Sequence, residues 1–121
     1  MKRITLYLIM AWGLASCTEE YASSIEASSL ICGKKDPINE LEWLKEEMSL
    51  FVGGPEINAV VLYSYQNKDV LELQGSVFNS TNMHQYYCDG EKLNLEDPVH
   101  FNDYKQRRIE KAVLYGTKVW N

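Results

Sequence analysis

Three cysteines, two histidines and eight tyrosines are the residues best equipped for chemistry in this chain of 121 residues. A metal site would draw on His84, His100, Cys32, Cys88 and scattered carboxylates. No two of these lie at a zinc-ligand spacing, so both histidines read as surface residues, and no metal or other cofactor is expected. A nucleophilic thiol needs a lowered pKa, and Asp89 beside Cys88 would raise it instead. The sequence holds no Gly-x-Ser-x-Gly, no phosphate loop and no dinucleotide fingerprint. An enzyme would need a site assembled only on folding, so the inventory points to a binding, adaptor or inhibitor module. The tyrosines are the remaining hint. Tyr63, Tyr65, Tyr86 and Tyr87 fall on predicted strands, where successive residues point to opposite faces, so Tyr86 and Tyr87 cannot both enter one core. An outward tyrosine row would be a candidate surface for a protein or glycan ligand. The alternative is cross-strand aromatic pairing that only stabilises the sheet.

The N-terminus says where such a module would work. Met1-Lys2-Arg3 is a basic head, and Ile4 to Gly13 is apolar. That run is shorter than the ~20 residues a membrane span needs, and it has the layout of an export signal. An uncleaved helix continuing past Cys17 would carry Glu19 and Glu20 into the apolar phase, at a cost of several kcal/mol each. Leu14-Ala15-Ser16-Cys17 resembles the lipobox of bacterial lipoproteins. The resemblance implies that residues 1–16 are removed, that the Cys17 thiol is diacylglycerylated, and that the new N-terminus carries a further acyl chain such as palmitate. Several chains anchor firmly where one would be marginal, since each buried CH₂ adds ~0.8 kcal/mol. The alternative is ordinary cleavage after Ala15 or Ser16, leaving a free Cys17. In enterobacterial lipoproteins an Asp after the cysteine marks inner-membrane retention. Thr18 stands there in this chain, which implies the bacterial outer membrane. Glu19-Glu20 is similar to the acidic export signals of Bacteroidota surface lipoproteins, or it merely solvates a tether. The expected place is therefore lipid-anchored in the outer membrane, on its surface or periplasmic face.

After cleavage 105 residues would remain (121 minus 16), enough for one domain with a core. Losing Lys2 and Arg3 would take the net charge from −5 to −7. That charge repels nucleic acid, which is excluded as a partner. Thr18 to Leu30 is rich in Ser, Ala and Glu, so residues 17–31 read as the lipidated cysteine and a flexible tether. Its coil would reach on the order of 20 Å. The remaining cysteines, Cys32 and Cys88, would be exported to a compartment that permits disulfides. They pair, or they stand as two separate buried thiols.

Residues 32–121 read as a single α+β domain. Asp36-Pro37 is a cap followed by a first-turn proline, and Ile38, Leu41, Leu44, Met48 and Phe51 recur at helical steps. The spacing predicts a helix over 37–52, stopped by Gly53-Gly54-Pro55. Strands are expected over 57–65 and 70–74, around a turn at Gln66–Asp69, with Leu71 and Leu73 on one face and Glu72 and Gln74 on the other. A strand over 84–88 leads into Asp89-Gly90, a type I′ signal, with a partner over 91–95. Asp97-Pro98 repeats the cap signature for a short helix over 98–107, and a last strand covers 111–117. The expected architecture is one amphipathic helix packed on a small antiparallel sheet of four to five strands, in two layers, with a short second helix before the last strand.

Cys32-Gly33, Asp36-Pro37, Leu41, Trp43-Leu44-Lys45 and the later Tyr86-Tyr87-Cys88-Asp89-Gly90 resemble a family of small Bacteroidota lipoproteins of unknown function. The likeness covers about residues 31–95. It supports the fold and the pairing of Cys32 with Cys88, and it implies no activity. Family members often carry further cysteines after the hairpin, and this chain has none there.

Overall fold

The computed structural model describes residues 30–121. The expected export signal, Cys17 and nearly all of the expected tether lie outside them. The chain divides into two units, Met1–Lys35 and Asp36–Asn121. Within the described end of the first, Ile31 and Lys34 exchange two backbone hydrogen bonds of 2.9 Å. Between them Cys32 and Gly33 both have positive φ, 54° and 74°. Two left-handed residues in a row make a type I′ turn, which is a physical reason for a glycine after this cysteine.

The second unit has four strands, β1 (Asn58–Tyr65), β2 (Lys68–Gly75), β3 (Gln85–Tyr87) and β4 (Ile109–Gly116), and three helices, α1 (Pro37–Glu40), α2 (Glu42–Met48) and α3 (Pro98–Arg107). The strands form one antiparallel sheet in the order β3-β2-β1-β4. This is the expected α+β class with a small sheet.

Local chemistry explains where the elements depart from expectation. The β1–β2 turn is only Gln66-Asn67, both at positive φ (53° and 64°), so Lys68 and Asp69 join the strand and Lys68 pairs with Tyr65. The Asp89-Gly90 connection is not type I′. Gly90 alone is left-handed (φ 89°), Tyr87 N–H bonds the Glu91 carbonyl, and Cys88, Asp89 and Gly90 form a three-residue loop. A side chain at Gly90 would meet the Trp43 ring at 2.8 Å. The return limb makes a single bridge, Tyr86 to Lys92, rather than a strand over 91–95.

The helix expected over 37–52 is broken. Leu41 is extended (φ −94°, ψ 108°) and separates α1 from α2. The Asp36 carboxylate does not cap the helix. It accepts from the Asn39 amide, while Asp36 N–H donates to the Glu40 carboxylate at 2.7 Å, closing the first turn on itself. Beyond Met48 the apolar spacing persists because Phe51 stacks on Phe78 and Tyr115 (5.9 and 6.1 Å), not because the helix continues. Asp97, by contrast, caps α3 through Val99 N–H at 2.9 Å.

A helix covers each face of the sheet, so the unit has three layers instead of two. On one face Val60, Leu62, Leu71, Leu73 and Tyr86 are buried, and α2 lays Trp43 on Tyr86 at 5.3 Å. On the other, Tyr104 of α3 is fully buried against Tyr63 and Tyr65 and joins Val70, Leu93 and Leu95. The central strands are therefore covered on both sides, with Asn58 Oδ1 and the Tyr63 hydroxyl of β1 buried without a hydrogen-bond partner among the described residues.

Cys32 and Cys88 form a disulfide. It closes a loop of 57 residues, counting 32 to 88 inclusive. Reduction should lower stability by about 2–4 kcal/mol in a denaturant titration. An unchanged midpoint would show that the bond does not constrain the unfolded chain.

Candidate functional site

Burial on both sheet faces forces Glu72, in the middle of β2, into the interior. Its side chain is fully buried and its neighbours satisfy it. The Oε1 atom accepts from Arg108 Nη1 (2.7 Å), Gln85 Nε2 (2.8 Å) and the Tyr104 hydroxyl (3.3 Å), and Oε2 accepts from Gln74 Nε2 (2.7 Å). Arg108, one residue after α3, lies over the Tyr63 ring at 4.1 Å and the Tyr104 ring at 4.9 Å. Burial alone would lower the Arg108 pKa, but Glu72, Tyr104 and Tyr63 together more than offset this and hold it up. Gln74 Oε1 in turn accepts Val119 N–H at 2.8 Å, which ties down the C-terminal tail. Gln85 Nε2 also donates to the Thr81 carbonyl at 2.7 Å, so the network reaches beyond Glu72 and ties loop, strand and tail together as a scaffold.

The predicted tyrosine row does not form. Tyr63, Tyr65 and Tyr86 are 3%, 8% and 5% exposed, the first two under α3 and the third under α2. The outward face on which the row depended is covered by the second helix. Tyr87 alone of the four is only half-buried. It is a wall of two clefts. One, about 580 Å³, is lined by Lys68, Asp69, Cys88, Asp89 and Glu91 as well as Tyr87. The other, about 460 Å³, lies between the Gln66-Asn67 turn, the limb Leu93–Leu95 and α3, with His100 and Asp103 at its rim. Both volumes suit a small ligand or part of a larger one.

Two charged groups at the clefts are held by aromatic or charged neighbours. The Lys68 ammonium sits 5.1 Å from the Tyr87 ring centroid. Asp103 shares its cleft with His100, the histidine–carboxylate pairing a catalytic site would need. Yet Asp103 Oδ2 accepts the Tyr65 hydroxyl (2.6 Å) and Oδ1 accepts Arg107 Nε (2.8 Å), so both oxygens are occupied. His84 lies elsewhere, stacked on Phe78 at 4.0 Å, and burial, then Lys92, lowers its pKa. No single-sequence signal brings Glu72 to Arg108, because they are 36 residues apart and meet only through α3. The one trace of the Tyr87 site is its place before the Cys-Asp-Gly turn.

No protein-family model, curated protein or solved structure matches this chain.

Four phenols resist ionisation. Burial pushes Tyr63 and Tyr86 up to about 12, with Glu72 and Glu47 adding to the respective effects. The hydrogen bond to Asp103 pushes Tyr65 up to about 12, and burial raises Tyr104 further still. A raised folded-state pKa means that the unfolded chain loses these protons first, from about 10. Stability should therefore hold below pH 10 and fall as pH rises toward 12. Tyrosinate absorbance and circular dichroism should change together across that window. Ionisation of these tyrosines near pH 10 with the fold intact would contradict the burial scheme.

Proposed function

We propose that this chain is a lipid-anchored lipoprotein of the bacterial outer membrane that acts as a non-catalytic binding or adaptor module, with its ligand seated where the two clefts meet at Tyr87. The observation that carries the reading is that one half-buried tyrosine lines both clefts, at the end of β3 where the Tyr87–Glu91 bond closes the hairpin loop. A half-buried tyrosine between polar rims offers large contact area at low entropic cost, as recognition surfaces do. The anchor is supported by the lipobox-like Leu14-Ala15-Ser16-Cys17, which lies outside the described residues. Among the described residues no helix is long and apolar enough to cross a membrane. A small envelope enzyme is the second reading, favoured only by His100 and Asp103 sharing a cleft. The engagement of both Asp103 oxygens weighs against it.

Cys17→Ser should abolish acyl labelling and release the protein from membranes, and protease added to intact cells should digest a surface-exposed domain. A Cys17→Ser form that stays labelled and membrane-bound would overturn the anchor. Pull-down of the native lipidated protein from intact cells should recover an envelope component with it; recovery of the protein alone would count against a binding module.

A further inference from the structure

The chemistry around Tyr87 narrows the ligand, if the binding reading holds. On one side of the ring stand the carboxylates of Asp69, Asp89 and Glu91. None of the three is in an ion pair among the described residues, although Lys68 lines the same cleft. On the other side, among the described residues, the Asn94 amide and the His100 ring make no side-chain hydrogen bond. Apart from Asp89 Oδ1, which accepts Glu91 N–H at 2.9 Å, these hydrogen-bonding groups make no side-chain hydrogen bond among the described residues. A ligand with many hydroxyl groups would satisfy them, and a polyanion would meet three carboxylates against one ammonium.

An extended peptide has no strand to pair with here. The outer edge of β3 is already taken, since Tyr87 N–H donates to the Glu91 carbonyl (2.8 Å) and Leu93 N–H donates to the Gln85 carbonyl (2.9 Å). Recognition at this place must run through side chains, an aromatic platform and polar rims, without main-chain pairing. We infer that the two clefts are one subsite for a neutral or amino-substituted saccharide, its ring lying on Tyr87 and its hydroxyls meeting Asp69, Asp89 and Glu91 on one side and Asn94 and His100 on the other. The Lys68 ammonium now occupies the ring face and moves aside when the sugar binds.

The test is calorimetric titration of the mature lipidated protein, in a detergent without a sugar headgroup. The probes are chitotetraose, cellotetraose and maltotetraose, with tetralysine and tetragalacturonate as cationic and anionic comparisons. At least one of the three uncharged oligosaccharides should bind, with an affinity that does not change with salt. Tyr87→Ala should weaken it roughly tenfold or more, and Tyr87→Phe should keep it within about threefold. Lys68→Ala should strengthen binding about two- to fivefold, because the ring no longer gives up a cation contact. A merely structural role for Tyr87 would not produce that gain. Binding of none of the three oligosaccharides, or binding of tetralysine alone with steep salt dependence, would overturn the assignment. If no sugar binds while an envelope component is still recovered from intact cells in a Tyr87-dependent way, the saccharide assignment falls and the binding reading stands.

Discussion

A single buried ion pair, Glu72 with Arg108, decides how the second unit is put together. A carboxylate in the centre of a sheet is tolerable only if its lone pairs are filled, and removing one partner of such a pair typically costs about 3–5 kcal/mol. Arg108 brings the charge, Gln74, Gln85 and Tyr104 bring the remaining donors, and the rings of Tyr63 and Tyr104 cover the guanidinium. Because Arg108 follows α3 directly, satisfying Glu72 fixes where that helix lies. The same network holds the C-terminal tail through Gln74, so one charge in β2 organises elements far from it in sequence. Hydrophobic residues of similar volume could fill the same space. What the polar network adds is direction, since its bonds to Glu72 run through Tyr104 of α3 and Arg108 just after it.

The position of α3 then shapes the surface that remains open. Tyr65 is buried and held by Asp103, and α3 becomes one wall of the smaller cleft. Tyr87, one residue from buried Tyr86 and on the opposite face, stays at the margin of the covered area. A rigid hairpin loop and a fixed helix thus frame one accessible ring. Side chains held by a scaffold in this way have little conformational freedom left to lose on contact with another molecule.

Much of the fold could be read from residue types. Asp97-Pro98 located α3 to the residue, because its cap is local and the carboxylate reaches Val99 N–H directly. The β1–β2 hairpin and the Cys32–Cys88 pair were legible for similar reasons, strong strand formers around a turn and an even pair of cysteines left after Cys17. Asp36-Pro37 marked the start of α1, although the Asp36 carboxylate took Asn39 as its partner instead of capping, and the apolar period ran past Met48 because Phe51 is half-buried by aromatic stacking rather than by a helical stripe. The second covered face was missed for one reason. Glu72 and Gln74 alternate with Leu71 and Leu73, the pattern of a half-exposed strand, and only a distant arginine makes them interior. The tyrosine row failed with it, since it needed the face that α3 covers.

The most direct test of this account is a double-mutant cycle between Glu72→Gln and Arg108→Met, read by denaturant unfolding of the full mature chain. If the pair organises the unit, each single change costs roughly 3–5 kcal/mol, and the double change costs well below the sum, because the second removal strands no new charge. Additive losses, or an Arg108→Met protein as stable as the parent, would contradict it.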